Sequence, residues 1–296
     1  MSRLLIVPMP GNEDLASSLS GALDAEVGHI VVRRFPDEET YLRFETAVEG
    51  RSIVLVCTLA HPDERIMPLM FAAAAAHDLG AARVGLVAPY LAYMRQDDRF
   101  QAGEAVTSNY FGHILSSKID WLVTIDPHLH RHSSLEEIFT VPTHVAHAAP
   151  LISAWIRQKI EHPLLIGPDT ESKQWVAAVA HDAEAPLLIL QKVRHGDRDV
   201  AISVPDLARW RDYTPVLVDD IISTGRTMLE TIGHLQQNGM RAPVCIAVHG
   251  IFAGDALNAM ISAGAARIVT TNTIPHITNE IDVMPLLGEK IHSIVK

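Results

Sequence analysis

The chain has 296 residues, of which 48% are hydrophobic, so it can bury a large core and fits two domains better than one. Its formal net charge is -11, from 24 Lys+Arg against 35 Asp+Glu, and no basic run is present, which argues against binding to nucleic acid. No apolar stretch approaches membrane-spanning length, and the apolar start LLIV is interrupted by Pro8 and Pro10. These features predict a soluble, cytoplasmic protein with no membrane partner.

Short β-branched runs alternate with helical patterns in chain order. The first half contains LLIVP, IVVRRF, SIVLVC, RVGLVAPY and WLVTID, with helices predicted near residues 14–25 and in PLMFAAAAAHDLG and SNYFGHILSSK. The second half repeats this rhythm with PLLIGPD, LLILQK, PVLVDD, VCIAVHG and RIVTTN, separated by helical patterns. Several runs are apolar on both faces, which is typical of parallel strands in a sheet covered on both sides.

The repeat predicts an α/β fold with two domains of one architecture, residues 1–145 and 146–296. The segment VPTHVAHAAP, residues 141–150, is predicted to link them. Residues 194–212 are rich in charge and poor in pattern, and they are predicted to form a mobile loop. Cys57 and Cys245 each lie in an apolar run, which predicts two buried thiols in a reducing compartment.

The strongest single motif is VLVDDIISTGRTM, residues 216–228. A buried strand is predicted to end at two adjacent aspartates, followed by a loop of small and hydroxylated residues and a helix that begins near Thr227. Such a joint presents backbone N–H groups and the positive end of a helix dipole to a phosphate, while the carboxylates suit ribose hydroxyls or a cation. The alternative interpretation is an acidic helix cap followed by a polar turn. The candidate binding residues are Asp219, Asp220, Ser223, Thr224, Gly225, Arg226 and Thr227.

This motif resembles the phosphoribosyl-diphosphate binding signature shared by phosphoribosyltransferases and phosphoribosyl-diphosphate synthetases. Further segments resemble the synthetases, also called ribose-phosphate diphosphokinases, and in particular their shorter archaeal-like forms. These segments are RRFPDEETYLRF, PYLAYMRQDDRF, DPHLHRHSS, LIGPDTESKQWV and QKVRHGDRDV. The resemblance implies two tandem phosphoribosyltransferase-type (type I) domains, each a mainly parallel sheet flanked by helices, with ATP bound by the first domain and ribose 5-phosphate by the second.

The resemblance also implies the residues of the ATP site. Two departures from the family pattern lie there, because Glu38 stands where relatives often have glycine and Asp98 stands where many have a basic residue. Without the resemblance, these segments are turns and solvated charged loops. The implied ATP-binding residues are Phe35, Asp37, Glu39, Arg95, Gln96, Asp97, Arg99 and His128.

Metal binding and catalysis are implied by three of these segments. His128, supported by Asp126, is expected at the ATP phosphates and a magnesium ion, and Asp169 is expected near the metal. Lys192 and Arg194, two residues apart, are expected to be the catalytic cations. His130 and His132 are expected to be surface or packing residues, although three alternating histidines also permit a zinc site.

The implied reaction is attack by the 1-hydroxyl of ribose 5-phosphate on the β-phosphorus of Mg-ATP, which yields 5-phosphoribosyl 1-diphosphate and AMP. The sequence contains no GxxxxGK[ST] loop and no kinase glycine-rich loop, so ATP is expected to be held in another way. The resemblance further implies a homo-oligomer with the ATP site near a subunit interface. The remaining alternatives are a phosphoribosyltransferase and a non-catalytic regulatory homologue of the synthetase.

Overall fold

The computed structural model describes residues 3–167, 173–195, 199–203 and 207–295. The chain divides into two compact units, one formed by Met1–His147 with Met284–Lys296 and the other by Ala148–Val283. Within the described ranges, none of the helices combines the length and apolar character needed to cross a bilayer.

The first unit is built on a six-stranded sheet in the order β2-β1-β5-β6-β7-β8, in which all neighbouring strands are parallel. Its elements are β1 Leu4–Pro8, α1 Glu13–Leu23, β2 Glu26–Val27, β3 Ile30–Arg34, β4 Thr40–Phe44, β5 Ser52–Val56, α2 Pro62–Asp78, β6 Arg83–Ala88, α3 Thr107–Ser116, β7 Trp121–Ile125 and β8 Thr143–Ala146. Strands β5 and β7 are buried along their whole length, as parallel strands are when both faces of the sheet are covered.

The second unit contains a parallel sheet in the order β10-β9-β13-β14-β15-β16. Its elements are α4 Ala149–Lys159, β9 Pro163–Gly167, α5 Lys173–Asp182, β10 Leu187–Ile189, β11 Gln191–His195, β12 Asp199–Ser203, β13 Thr214–Ile222, α6 Arg226–Gln237, β14 Val244–Gly250, α7 Ala256–Ser262, β15 Arg267–Thr271 and β16 Asn279–Ile281. The predicted parallel α/β repeat is therefore present in both halves of the chain.

The last helix, α8 (Met284–Val295), belongs to the first unit and packs on α1 and on strands β7 and β8. The sequence predicts instead that everything after residue 145 lies in the second domain. The predicted linker, residues 141–150, also differs from the structure, because it contains β8 and the first residues of α4. Strand β8 has only four residues and is half-buried in the middle, so its pattern is too short to be recognised.

Two antiparallel hairpins stand outside the parallel sheets. Strands β3 and β4 pair antiparallel from Ile30↔Phe44 to Arg34↔Thr40, whereas the alternating sequence pattern predicts a parallel strand for residues 30–35. Strands β11 and β12 pair antiparallel, so the segment predicted as a loop, residues 194–212, begins inside β11 and contains all of β12. A 3₁₀ turn follows at Ala208–Trp210. Positions 196–198 and 204–206 of that segment lie outside the described residues.

Both sheets have a topological switch point, where consecutive connections leave in opposite directions. In the first sheet, β2 lies on one side of β1 and β5 lies on the other. In the second sheet, β10 lies on one side of β9 and β13 lies on the other. Ligands of open parallel sheets bind in the crevice outside the carboxyl ends of the strands at such a point. The fold thus offers two equivalent crevices, at β1/β5 and at β9/β13.

The turn of the β3–β4 hairpin holds Glu38 in a left-handed conformation, with φ of 71°. The turn is closed by two backbone hydrogen bonds, from Phe35 N to Glu39 O at 2.8 Å and from Glu38 N to Phe35 O at 2.9 Å. A side chain at positive φ places Cβ close to the following carbonyl, which costs roughly 1–2 kcal/mol relative to a right-handed position. This geometry favours glycine over glutamate at position 38.

We therefore expect Glu38→Gly to stabilise the hairpin, by up to about 1 kcal/mol, because glycine adopts positive φ without that cost. The matched control is Glu39→Gly, since Glu39 has no positive φ and glycine would only add chain entropy to the unfolded state. Urea unfolding of both variants measures the effect. A loss of stability in Glu38→Gly equal to that in Glu39→Gly would contradict this account of the turn.

Candidate active site

Strand β13 carries the two aspartates of the strongest motif at the carboxyl edge of the second sheet. Asp219 and Asp220 are both half-buried, and the backbone N–H of Asp220 donates to Asp219 Oδ1 at 3.0 Å. The strand does not end at these residues, as the sequence predicts, but continues to Ile222, which pairs with Gly250 of β14. The two carboxylates therefore lie on a paired strand rather than in a free loop, which limits their movement.

Helix α6 begins one residue earlier than the sequence predicts, at Arg226, with Gly225 as its N-terminal capping residue. Gly225 has φ of 70°, and a Cβ at this position would lie 3.2 Å from the Met260 sulfur, so both backbone conformation and space favour glycine. Among the described residues, no side chain caps α6. The first turn of the helix thus keeps its N–H groups available for an anion at the β9/β13 switch point.

The loop between β13 and α6 is supported by the segment that follows β14. The N–H groups of Ile251 and Phe252 donate to Ile222 O at 2.9 and 3.1 Å, and Ala253 N donates to Ser223 O at 3.0 Å. Of the side chains predicted to bind the sugar phosphate, Ser223 and Thr227 are half-buried and Thr224 is exposed. Arg226 is also exposed, and its Nε lies 3.1 Å from Glu230 Oε1.

A buried polar cluster that sequence reasoning missed lies on the strands beside this loop. His249, opposite Ile221 in the sheet, has Nδ1 at 2.9 Å from the hydroxyl of Thr273. The hydroxyls of Thr271 and Thr273 donate to Val248 O at 2.8 and 3.0 Å. The one signal in the sequence is the polar run TTNT after the apolar strand RIV, since hydroxyls at such a strand end must find buried partners.

The predicted ATP-binding segment after β6 forms a charged cluster in the first unit. Asp97 is 8% exposed, and its Oδ1 accepts a hydrogen bond from Arg131 Nη1 at 2.9 Å. The Arg131 guanidinium also lies 3.5 Å from Asp98 and over the ring of Phe100, at 4.7 Å from its centroid. Sequence reasoning missed Arg131, although it stands between two of the alternating histidines. Its positive charge lies next to Asp98, one of the two departures from the family pattern that the sequence analysis identifies.

The second carboxylate oxygen of Asp97, Oδ2, is buried without a hydrogen-bond donor within the described part of the chain. A buried acceptor without a hydrogen-bond partner reduces the stability of the fold, so we expect a ligand to supply a donor or a cation to it. Gln96 lies in the same segment, and its carbonyl accepts from Ser108 N, in the first turn of α3, at 3.3 Å. Arg95 and Arg99 are exposed, and Arg99 Nε donates to Glu104 O at 3.0 Å.

The histidine segment after β7 divides into two parts. The rings of His128 and His130 stack, with centroids 3.8 Å apart, as expected for alternate positions of an extended segment. The His132 side chain has a different partner, because its Nδ1 lies 3.0 Å from Glu137 Oε2. Hydrogen bonds from Ser133 and His132 lower the pKa of Glu137 to about 2.

Asp126, predicted to support His128, directly follows β7 and has φ of 32°. Its Oδ1 lies 2.8 Å from His147 Nδ1, and this hydrogen bond raises the pKa of His147 above its ordinary value. The pair ties the carboxyl end of β7 to the residue after β8, so Asp126 is held in one position.

The predicted adenine contacts lie at the tip of the β3–β4 hairpin. Phe35 is 41% exposed, and Asp37 and Glu39 are exposed as well. The guanidinium of Arg33 stacks over Tyr41 and Phe35, at 4.0 and 4.9 Å from the ring centroids. This stacking orders the hairpin tip while leaving one aromatic side chain available to a ligand.

The predicted catalytic cations lie on β11, where Lys192 is opposite Ile202 and Arg194 is opposite Val200. Their side chains lie outside the described part of the structure, and so does Asp169, the predicted metal ligand.

Comparison with known proteins shows the family. Residues 4–118 match the model described as the N-terminal domain of ribose phosphate pyrophosphokinase, and residues 134–285 match the phosphoribosyl transferase domain. The ribose-phosphate pyrophosphokinase of Methanothermobacter thermautotrophicus is 34% identical, with 96% of this chain and 99% of that protein covered. The chain belongs to the ribose phosphate pyrophosphokinase family.

Other relatives agree with this assignment. The ribose-phosphate pyrophosphokinase of Sulfurisphaera tokodaii is 29% identical, with coverage of 97% of this chain and 100% of that protein. The crystal structure of phosphoribosylpyrophosphate synthetase from Mycobacterium smegmatis matches with a TM-score of 0.86 and 22% identity over 99% of both chains. At that identity the match shows the fold alone, and it confirms two phosphoribosyltransferase-type domains built on mainly parallel sheets.

We expect Arg131→Gln to destabilise the first unit by about 1–2 kcal/mol, because it leaves the buried Asp97 carboxylate without its cation. This expected loss of stability is smaller than the loss for a fully buried ion pair, because the Arg131 side chain is half-exposed. Arg99→Gln, in the same region but exposed, is the control and should change stability by less than about 0.5 kcal/mol. Denaturant unfolding measures both, and equal effects would show that the Asp97–Arg131 pair has no special role.

Proposed function

We propose that this protein is a ribose-phosphate diphosphokinase, which transfers the β,γ-diphosphate of ATP to the 1-hydroxyl of ribose 5-phosphate and releases AMP. The observation that carries the proposal is the β13–α6 joint, where two half-buried aspartates precede a helix N-terminus without a side-chain cap, in a chain of this family. The family model at residues 4–118 favours this reaction over that of a phosphoribosyltransferase, because it describes the pyrophosphokinase's own N-terminal domain.

Ribose 5-phosphate is proposed to bind along the β13–α6 joint. The 5-phosphate would accept hydrogen bonds from the first N–H groups of α6 and from the hydroxyls of Ser223, Thr224 and Thr227. The carboxylates of Asp219 and Asp220 would accept hydrogen bonds from the ribose hydroxyls. This arrangement holds the sugar at both ends and fixes the position of its 1-hydroxyl for in-line attack on the β-phosphorus.

ATP is proposed to bind to residues of the first unit. Adenine would stack on Phe35 and donate its amino hydrogens to the acidic side chains of Asp37 and Glu39. Arg95, Gln96, Asp97, Arg99 and His128 are proposed to contact the rest of the nucleotide. The buried Asp97 oxygen, which has no donor among the residues that the structure describes, supports a ligand contact in this segment. Because the adenine contacts are exposed at a hairpin tip, we infer that they serve an ATP site near a subunit interface of a homo-oligomer.

Magnesium is the proposed cofactor, and the described residues fit it. The carboxylate oxygens of Asp219 and Asp220 are the hard donors that Mg²⁺ prefers, and His128 and Asp169 are further proposed ligands. Bound Mg²⁺ would neutralise negative charge on the transferring phosphates. Lys192 and Arg194 are proposed to stabilise the charge that develops on the β-phosphoryl oxygens as AMP leaves. Two free, buried thiols, Cys57 and Cys245, agree with a reducing compartment, and we infer a cytoplasmic location.

Product analysis tests the reaction. With ATP, Mg²⁺ and ribose 5-phosphate, we expect AMP to form in step with ribose 5-phosphate consumption, because attack at the β-phosphorus expels AMP. Thr227→Val should raise the KM for ribose 5-phosphate more than the KM for ATP, since it removes a hydroxyl aimed at the sugar phosphate. Stoichiometric ADP would indicate ordinary kinase chemistry, and absence of turnover would favour a non-catalytic homologue.

Two substitutions test the proposed catalytic cations. Lys192→Ala and Arg194→Ala should each lower kcat by roughly 10²- to 10³-fold, because each removes a positioned donor to charge formed in the transition state. Arg209→Ala is the control, since Arg209 is an exposed cation that stacks on Trp210 in the nearby 3₁₀ turn. Thermal unfolding of each variant must accompany the kinetics. Near-normal kcat, or a loss of folding that accounts for the lost activity, would contradict the catalytic role.

A further inference from the structure

The segment after β6 that carries proposed ATP-binding residues is preceded by a strained backbone conformation. Tyr93 has φ of 61°, in the left-handed region, although its side chain is a bulky aromatic ring. The Cβ atom of such a residue lies close to the following carbonyl oxygen, so this conformation costs free energy and persists only where the surrounding structure holds it. Tyr93 lies two residues before Arg95. Its backbone therefore sets the direction in which the chain enters the ATP-binding segment.

The chain before Tyr93 is fixed to the neighbouring strands. Pro89 O accepts a hydrogen bond from Ile125 N, the last residue of β7, at 3.4 Å. Tyr90 O accepts from Leu59 N, in the segment after β5, at 3.0 Å. The two side chains that follow, at positions 91 and 92, are buried. Conformational freedom of the ATP-binding segment therefore begins at Tyr93.

The chain after Tyr93 alternates between buried and exposed side chains. Met94 and Asp97 are buried, whereas Arg95 between them is exposed. Among the described residues, the backbone of positions 93–97 makes one hydrogen bond, in which Gln96 O accepts from Ser108 N at 3.3 Å. Because the backbone is supported at few points here, the orientation of the Arg95 side chain depends on how the Tyr93 side chain is held.

Two contacts hold the Tyr93 side chain. Its hydroxyl donates a hydrogen bond to Asp63 Oδ1, in the first turn of α2. Its ring packs on the buried ring of Phe111 in α3, with centroids 5.0 Å apart and an angle of 46° between the planes. The side chain therefore connects the start of the ATP-binding segment to both helices.

Donor and acceptor of this hydrogen bond are both well defined. Burial and the neighbouring Asp63 carboxylate raise the pKa of Tyr93 to about 12, so the hydroxyl keeps its proton in neutral solution and donates. The start of α2 is held by Arg65, whose Nε donates to Ala60 O at 2.7 Å and whose Nη1 donates to Pro10 O at 3.1 Å. An acidic side chain in the first turn is also favoured by the helix dipole. The acceptor is thus a fixed point of the first unit.

We propose that Tyr93 is a positioning residue of the ATP site, and that its hydrogen bond to Asp63 holds the left-handed turn that directs Arg95 toward the nucleotide. The proposal rests on the proposed function, in which ATP contacts the segment after Tyr93. Without the hydrogen bond, the backbone relaxes toward negative φ and fewer molecules have the segment in its binding conformation. The apparent Kd for ATP rises by the reciprocal of that fraction. Binding of ribose 5-phosphate, proposed for the second unit, does not change.

Titration with a nucleotide that does not react tests the proposal. The probe is α,β-methylene ATP with Mg²⁺, in which a stable bond replaces the one that the proposed reaction breaks, and calorimetry of the full chain measures its Kd. Tyr93→Phe keeps the ring and removes the hydroxyl, and it should raise the Kd roughly fivefold, the effect of losing one hydrogen bond. Tyr110→Phe is the control, because Tyr110 is an exposed tyrosine of α3, and it should bind the probe like the wild type.

Variants of the acceptor test whether the two groups act as a pair. Asp63→Ala should raise the Kd by the same factor as Tyr93→Phe, and the double variant should raise it no further, because each substitution removes the same interaction. Asp63→Asn retains an acceptor oxygen and should restore most of the affinity.

Two further measurements separate positioning from a general loss of structure. In assays that follow AMP release, Tyr93→Phe should raise the KM for ATP but leave the KM for ribose 5-phosphate and the melting temperature unchanged. The Ser108 amide, which donates to Gln96, should exchange its hydrogen faster in the unliganded variant and return to the wild-type rate with saturating α,β-methylene ATP. The Leu59 amide, which donates to Tyr90 before the turn, should exchange at the wild-type rate throughout.

The possible failures have distinct signatures. A wild-type Kd for the probe in both Tyr93→Phe and Asp63→Ala would overturn the positioning role, and the proposed reaction would stand if the wild type releases AMP. Equal rises in both KM values with a lower melting temperature would also overturn it. A wild type that binds the probe but forms no AMP would refute the reaction alone, since the Kd comparison still decides the role of Tyr93. No binding by the wild type would refute both proposals.

Discussion

Two neighbouring strands of a parallel sheet leave a crevice at their carboxyl ends when their outgoing connections turn to opposite sides, because no crossover segment covers the gap. This constraint operates twice in the chain, at β1/β5 and at β9/β13. In the second unit the crevice lies beside two aspartates and the first turn of α6. In the first unit it opens on a cavity whose lining includes Arg34 and Arg65. The same backbone order therefore prepares two sites whose chemistry is set by the side chains that follow the strands.

Positive φ values occur after the carboxyl ends of several parallel strands. Among the described residues other than glycine, His61 follows β5, Tyr93 follows β6, Asp126 follows β7 and Phe252 follows β14. The last three of these side chains each have a contact in the structure. The Tyr93 hydroxyl donates to Asp63, Asp126 pairs with His147, and the Phe252 ring packs on His276 at 4.6 Å between centroids. Such positions persist where the surrounding structure determines them, and they are often near functional groups.

Local charge, rather than net charge, decides what this protein can bind. A chain with a formal charge of -11 is a poor partner for a long polyanion, but a local cluster of cations can still favour a small anion. Two arginines illustrate how local contacts fix a charge: Arg131 lies beside Asp97 and Asp98, and Arg65 donates to the carbonyls of Pro10 and Ala60. In both, the guanidinium is positioned by groups of the protein itself.

The amino-acid sequence by itself determined the parallel α/β architecture, the buried thiols and the β13–α6 joint, because each depends on short-range patterns. Runs apolar on both faces predict covered strands, and the loop with Gly225 predicts a strand-to-helix turn within one residue of its actual helix start. The sequence alone also predicted the family, because several segments resemble it, and the comparison with known proteins confirms that prediction.

The tertiary structure alone decided which distant segments meet. Helix α8 returns to the first unit, Arg131 reaches Asp97 from 34 residues away, and β3 pairs with β4 rather than with the sheet. The need for glycine at position 85 is also set by a distant residue, because a Cβ there would overlap the buried indole ring of Trp121 on the neighbouring strand. Strand order, and with it the position of each switch point, follows from how crossovers pack on a sheet. A periodic pattern in the sequence records whether a face is buried, but not which surface covers it.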